Sequence, residues 1–247
     1  MSAPTSRLYA QTNVQLYDQM SSAGYSRDDL AAIQRAYEAM QPLFSGSFRG
    51  SGRPFLAHLV GTASILADAG QPIAVIVAGL CHAAYEFGDF GASLRRRSSN
   101  NRQKLRQWIG TEAETLVWSY SHLEWSIDAI SGYPDDQADK QVLVIRLANE
   151  IEDALIDNWF HSGSAKRKSS HDTAKACREL AARLDLTEWQ EALDELIKEQ
   201  ALLMDTAAYA ADNSYVLPAT SYRLSLKLHL VRAAKKVYHL FHGQRSE

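Results

Sequence analysis

Two histidines in small, apolar surroundings are the residues of this sequence best suited to chemistry. His58 lies in RPFLAHL, and His82 lies 24 positions later in CHAAYEFGDFG. Imidazole nitrogens bind transition metals and also transfer protons near neutral pH. Many metal enzymes pair such a histidine with an adjacent aspartate, but His82 is followed by Ala83. The pair is therefore a metal site, the remains of one, or part of the core.

Acidic residues elsewhere could complete a site around these histidines. The stretch VLVIRLANEIEDALIDNWFH carries four polar residues spaced by three, four and four positions: Glu150, Asp153, Asp157 and His161. That spacing puts them on one stripe of a helix. Glu86 follows His82 by four positions, so on a continuous helix both side chains would face the same pocket.

Both histidines lie in segments that read as helices. PFLAHLVGTASILADAG has Pro54 at a first-turn position and Gly70 at its C-terminal end. QPIAVIVAGLCHAAYEFG is apolar nearly all round, which predicts one central buried helix between Pro72 and Gly88.

Cap signals predict further helices. Ser26, followed by acids, is the N-cap of a helix that runs toward Pro42, and capping-box spacings begin at Thr111 and Thr187. Leucines alternate like a strand at 224–230, but no other stretch offers a strand partner, so we predict helix there and an all-α fold. The same leucines either cover the core or form a homodimer interface.

Two polar, basic stretches, 93–104 and 162–170, are predicted to be loops. Such runs are usually solvated surface. The alternative is that they flank a site and attract anionic groups such as phosphates.

The overall composition excludes several classes of protein. The chain has 247 residues, 46% hydrophobic and 22% charged, with a net charge of -3, so no global field favours nucleic acid or an anionic membrane. Cys81 and Cys177 are too few for a disulfide framework or a CxxC metal pair. No signal peptide or membrane-spanning stretch is evident. We expect a soluble, cytoplasmic protein without a specific nucleic-acid partner.

Three motifs in order resemble the HD-domain superfamily of metal-dependent phosphohydrolases. FRGSGRPFLAHL, CHAAYEFGDFG and VLVIRLANEIED are similar to R-x-S-G-x-P-[YF]-x-x-H, H-D-x-x-E-D and L-A-D-R-x-x-N of the branch that contains the stringent-response guanosine-tetraphosphate hydrolases. GDFG and IGTEAETLVW indicate a side family of that branch. The resemblance implies an all-α, HD-like domain at 26–165, with an N-terminal helical arm at 1–25 and a helical C-terminal extension at 166–247.

The resemblance also assigns roles around the histidines. His58 stands at the first metal-binding histidine, and His82 stands at the histidine of the HD pair, whose aspartate is Ala83 here. Glu86 stands at the glutamate that orients the attacking water, and the acid that should follow it is Phe87.

The third motif carries the other departure from the family. Asn149 replaces the aspartate that is the fourth metal ligand, and Asp153 stands at the closing asparagine. Both changed ligands are carboxylates, so two negative charges are lost around the metal, which in this family is a divalent transition metal such as Mn, Fe or Zn. Asn149 still offers a carbonyl oxygen, whereas Ala83 offers none.

Basic residues of the first motif surround nucleotide phosphates in the family. Arg49 and the Ser-Gly pair after it match that motif, but Gly50 replaces its next basic residue and Arg53 takes the place of an acid. Arg49 and Arg53 are therefore candidate substrate-binding residues, and Tyr85 is a candidate for lining the pocket.

Three interpretations of the site stay open. Glu86 and Asp153 could join the two histidines in a rebuilt metal site. The histidines could instead stay hydrogen-bonded in a pocket without metal, or Glu86 and His82 could act as acid and base without one.

Glu86, His82 and Asp153 are the catalytic candidates in a phosphohydrolase-like protein acting on a phosphorylated small molecule or nucleotide. The alternative is a catalytically inactive HD-fold module that binds a ligand or a protein. A di-iron oxygenase of the same superfamily would need more histidine and aspartate ligands than this chain has.

Overall fold

A computed structural model of the chain describes residues 9–49, 51–91, 96–132, 140–155, 159 and 164–205. In these ranges the regular elements are helices, and the only β-type pairing is an isolated bridge between Phe48 and Pro54. The all-α prediction is confirmed, and the bundle is compatible with an HD-like fold.

The described helices, in chain order, are α1 (Asn13–Ser22), α2 (Arg27–Phe44), α3 (Phe55–Asp68), α4 (Ile73–Cys81), α5 (Ala84–Phe87), α6 (Ser99–Ile109), α7 (Thr111–Tyr120), α8 (Ile127–Gly132), α9 (Lys140–Ala154), α10 (Ser164–Arg183) and α11 (Thr187–Met204).

Helices α3 and α4 form the centre of the bundle. Helix α3 packs against α1, α4 and α9, and α4 packs against α2, α7 and α9. Every residue from Val75 to Cys81 is buried, which explains why α4 is apolar on all sides. Burying one such aliphatic side chain stabilises the fold by about 1.5–3 kcal/mol. Helix α10 packs on α9, α8 and α11.

The ends of the early helices agree with the sequence signals. Ser26 caps α2 by accepting from the backbone N–H of Asp29, whose carboxylate accepts in turn from Ser26. Helix α2 continues through Pro42 and ends at Phe44. Pro54 occupies the N-cap position of α3, and Gly70, with φ of 62°, follows its end.

The prediction of one continuous helix between Pro72 and Gly88 is wrong. Helix α4 ends at Cys81 and α5 begins at Ala84. The reason lies in His82, whose ring Nδ1 and backbone N–H both contact the carbonyl of Gly79, at 2.7 and 3.5 Å. In a regular α-helix that carbonyl would accept from residue 83. A side chain therefore takes the acceptor that would continue the helix.

Two predicted caps and two predicted loops are also wrong. Thr111 and Thr187 are the first residues of α7 and α11, and the N-cap residues, Gly110 and Leu186, make no side-chain cap hydrogen bond. The stretch 93–104 contributes to α6, whose N-cap Ser98 accepts from a backbone N–H, and most of 162–170 belongs to α10.

Several predictions fall outside the described residues, namely those for Asp157, His161 and the stretch 223–231. The division at residues 25 and 165 stays a prediction. No described helix combines the length and apolar character needed to cross a membrane.

Candidate functional site

His58 and His82 meet in the interior of the bundle. His58 lies one turn into α3, and His82 directly follows α4, which packs beside α3. Their Nε2 atoms are 3.3 Å apart, and the ring planes cross at 78°. Both residues are buried, with exposed fractions of 0% and 3%.

The hydrogen-bond partners fix the tautomer of each ring. Arg49 Nη1 lies 3.2 Å from His58 Nε2, and a guanidinium only donates, so that nitrogen accepts. The proton of His58 therefore lies on Nδ1, which donates to Glu152. His82 Nδ1 donates to the carbonyl of Gly79, 2.7 Å away. Both Nε2 atoms therefore carry lone pairs when the rings are neutral, and the lone pair of His58 accepts from Arg49 while Nε2 of His82 lies 3.3 Å away.

The second ring is neutral at physiological pH. Burial, together with the nearby cations Arg146 and Arg49, lowers the pKa of His82 to about 4 against the opposing effects of the bond to Gly79 and of Asp153. Two neighbouring lone pairs repel unless a positive group lies beside them. The geometry therefore favours a cation at this point.

Arg49 supplies a positive group in the structure. One guanidinium nitrogen donates to His58 Nε2, and the other forms an ion pair with Asp153. The Arg49 side chain also lies over the ring of Phe55, 5.5 Å from its centroid. The structure thus brings together three residues that the sequence analysis selected: Arg49, His58 and Asp153.

Glu152 is a residue of the histidine site that the sequence analysis missed. Its fully buried carboxylate lies between His58 and Arg53, accepting from one and forming an ion pair with the other. Arg53 also donates to Gln11 and, at 3.1 Å, to the carbonyl of Ala57. A carboxylate behind an imidazole orients the ring and makes its far nitrogen a better ligand.

A signal for Glu152 is present in the sequence. Ile145 and Ala148 precede it by seven and four positions and are buried on α9. Helical periodicity requires an apolar residue at the next position of that buried stripe, but the sequence has an acid there, Glu152. Space for it comes from Gly61 on α3, because a Cβ there would lie 2.9 Å from Glu152 Cγ.

The donor set partly fits a divalent transition metal. Nitrogens 3.3 Å apart can both lie within about 2.0–2.1 Å of one ion. His58, Glu152 and Asp153 also bring ligand atoms within 4.8 Å of one another, although Glu152 bonds to Nδ1 of His58 and not to the Nε2 that faces His82. Asp153 is paired with Arg49, however, and Ala83, with 2% of its surface exposed, provides no oxygen in its side chain. These residues can hold a cation once the ion has replaced Arg49 as the partner of Asp153.

Asn149, on the same helix, lies beside a second charged pair. Its amide donates to Glu150 Oε1 at 3.3 Å, and Glu150 pairs with Arg146 at 2.9 Å. Arg146 also donates to the hydroxyl of Tyr120, whose ring lies 5.1 Å from that of His82. Tyr120 therefore forms one wall of the histidine site.

The described contacts of Glu86 and Tyr85 lie apart from the histidines. Because of the break after His82, Glu86 lies on α5, where its carboxylate pairs with Arg97 at 3.6 Å. Tyr85 is buried and donates to Glu114 at 2.6 Å. The expectation that Glu86 faces the same pocket as His82 assumed one straight helix, and the site roles of Glu86 and Tyr85 stay predictions.

Comparisons with known proteins show distant relatives. A family profile described as a "Domain of unknown function (DUF6817)" matches residues 39–124. The chain is 27% identical over 180 residues to a "Probable GTP pyrophosphokinase" of Mycobacterium leprae, an alignment that covers 70% of this chain and 22% of that protein. It is 25% identical over 180 residues to "Probable GTP diphosphokinase RSH3, chloroplastic" of Arabidopsis thaliana, covering 68% of this chain and 24% of the relative.

A shorter match has higher identity. The chain is 37% identical over 62 residues to the "Bifunctional (p)ppGpp synthase/hydrolase RelA" of Mycobacterium tuberculosis, covering 25% of this chain and 8% of that protein. The chain spans a quarter or less of the length of each of these relatives. At this low identity, its homologues are RelA-like (p)ppGpp synthases and hydrolases.

Proposed function

We propose that this chain is an HD-fold, phosphohydrolase-like protein that acts on a phosphorylated small molecule or nucleotide. The proposal rests on the pair of buried imidazoles whose Nε2 atoms lie 3.3 Å apart beside Arg49 and Asp153. The names of the relatives point to guanine nucleotides as the first substrates to test.

His58, His82 and Asp153 are the residues that would hold a divalent transition metal, with Asn149 as a further oxygen donor. When bound, such a metal acts as a Lewis acid and lowers the pKa of a bound water. The protein's own part is to keep both Nε2 lone pairs available, through Glu152 behind one ring and the Gly79 carbonyl behind the other.

Charged residues at the edge of the site are suited to binding phosphate and moving protons. Arg49 and Asp153 are partly exposed, at 16% and 25% of their side chains, above the buried histidines. Glu86, which pairs with Arg97 and is exposed by a third, lies apart from this edge, and its assignment as a catalytic base stays a prediction.

A second candidate function is a catalytically inactive module that binds a phosphorylated ligand. The observation that favours it is Arg49, which already satisfies His58 and Asp153 without a metal. Ala83 agrees with this alternative, since it removes the carboxylate that would strengthen metal binding.

Metal analysis of protein purified without chelator separates the two. The hydrolase proposal predicts about one Mn, Fe or Zn per chain, lost in His58→Ala and His82→Ala but kept in His122→Ala, which changes an exposed histidine two residues after the end of α7. It also predicts phosphate or diphosphate release from ppGpp or another nucleotide. Metal-free protein that shows no release with added Mn²⁺, yet binds the nucleotide, would support the inactive module instead.

A further inference from the structure

Arg49 occupies the hydrogen-bonding positions that a cation at the histidine site would need. Its Nη1 donates to His58 Nε2 at 3.2 Å, and its Nη2 pairs with an oxygen of Asp153. The Nε2 lone pair serves one partner at a time. A cation that binds His58 and Asp153 must therefore displace the Arg49 guanidinium.

The displacement can be confined to the side chain. The backbone of Arg49 is held, because its N–H donates to the carbonyl of Arg53 at 2.8 Å and its carbonyl accepts from Gly52 at 2.9 Å. The Arg49 side chain is partly exposed, at 16%, so it can leave the site toward solvent. Once released, it needs a new anion, and a phosphate group offers paired oxygens to its planar fork.

We propose that this site takes a divalent cation and a phosphate group as a pair, with Arg49 as the side chain that couples them. A phosphate draws Arg49 away from His58 and Asp153 and so opens the cation site. A cation alone would lie beside the positively charged guanidinium, and a phosphate alone would break the ion pair between Arg49 and Asp153. The inference rests on the proposed function and specifies the ligand of the same site.

Binding of Mn²⁺, followed by the electron paramagnetic resonance of the free ion, tests the coupling without any assay of activity. In the wild type, inorganic phosphate should tighten Mn²⁺ binding by about tenfold, a typical size for coupling between two sites. Arg49→Gln should bind Mn²⁺ tightly without phosphate and should not respond to it. Arg178→Gln, which removes an arginine paired with Asp194 on α11, is the matched control and should behave as wild type.

Coupling is reciprocal, so the wild type alone provides a second measurement. The affinity for inorganic phosphate, from calorimetry, should rise by the same factor at saturating Mn²⁺, after protein-free titrations have corrected for association of the two ions in solution. This readout holds even if Arg49→Gln fails to fold.

The outcomes separate this inference from the proposed function. Wild-type binding of Mn²⁺ that ignores phosphate, or weaker binding by Arg49→Gln, would overturn the coupling and leave the metal-dependent function standing. No Mn²⁺ binding by wild type or by Arg49→Gln, with or without phosphate, would overturn both.

Discussion

Glu152 on α9 holds His58 on α3 by accepting the proton of its Nδ1, and only 1% of either side chain is exposed. The contact joins two central helices and sets which ring nitrogen faces His82. Stability and site geometry therefore depend on the same buried carboxylate.

Replacement of Glu152 should show this double role. Glu152→Ala removes the carboxylate between Arg53 and His58, and we expect the free energy of unfolding to fall by about 3 kcal/mol, since breaking a buried ion pair costs roughly that much. Glu152→Gln keeps a hydrogen-bond acceptor, so its free energy of unfolding should fall clearly less than that of Glu152→Ala. Urea denaturation measures both, and equal losses in the two variants would contradict the role of the hydrogen bond.

A methyl group at Gly61, on the same helix as His58, should disturb the same carboxylate. The added Cβ would lie 2.9 Å from Glu152 Cγ and 3.3 Å from Arg53 Nη2, too close for either group to stay in place. We expect Gly61→Ala to destabilise the protein by about 1–3 kcal/mol, the usual cost of overpacking, despite the higher helix propensity of alanine.

The control for Gly61 is a double-mutant cycle with Glu152→Ala. Once the carboxylate is gone, Gly61→Ala should be neutral or stabilising by up to about 1 kcal/mol from helix propensity. An equal cost in both backgrounds would show that the clash lies elsewhere.

Glu114 should give the protein an acid-sensitive component of stability. Burial alone would raise the pKa of its carboxyl, but hydrogen bonds from Arg102, Tyr85 and Arg106 outweigh burial and lower it. The pKa of Glu114 is therefore lower in the folded protein than in the unfolded chain. Its stabilising effect is fully present at a pH above the unfolded pKa, and it is lost as the pH falls through the folded pKa.

Unfolding measured from pH 6 down to pH 3 checks this sign. The free energy of unfolding of the wild type should exceed that of Glu114→Gln at pH 6, and this difference should shrink as the pH falls below about 4.3, the ordinary pKa of glutamate. A difference between the two proteins that stays constant over this range would contradict the assignment.

Restoring the two carboxylates should strengthen metal binding. Ala83 and Asn149 are buried, at 2% and 5% exposure, so Ala83→Asp with Asn149→Asp places two carboxylates where desolvation is costly. We expect the metal-free double variant to be less stable than the wild type and to recover with Mn²⁺. Ligand at 100 times its Kd adds about 2.7 kcal/mol.

Thermal unfolding with and without Mn²⁺ measures that recovery. The matched control is Ala83→Asn with Asn149 unchanged, which adds a similar volume without charge. Its Tm should rise with Mn²⁺ by no more than that of the wild type. A double variant whose Tm ignores Mn²⁺ would show that the histidine pair is not a metal site.

The helical fold could be predicted because its signals are local. Ser26, Pro54 and Gly70 mark helix ends through their own backbone preferences, and the apolar periodicity of α3 and α4 needs no distant information. The break at His82 could not be predicted in this way, because it arises where one side chain takes a backbone carbonyl of the preceding turn.

The site was harder to predict because its partners are distant in sequence. Arg49 and Asp153 are separated by 104 positions, and the pairing depends on how α9 lies against the loop before α3. Comparison with a family motif drew attention to Asn149 and Asp153. Glu152, between them, has no counterpart in that motif, although an acid on the buried apolar stripe of α9 is itself a signal of a special role.

The loop before α3 also controls the rotation of α9 about its own axis. Arg49 pairs with Asp153 and Arg53 pairs with Glu152, so two arginines of one short loop reach consecutive residues of the helix. Consecutive helical residues point about 100° apart, so holding both fixes the roll angle of α9. Any roll or one-residue slip of this helix would strain both ion pairs at once, and the loop thereby serves as an angular reference for α9.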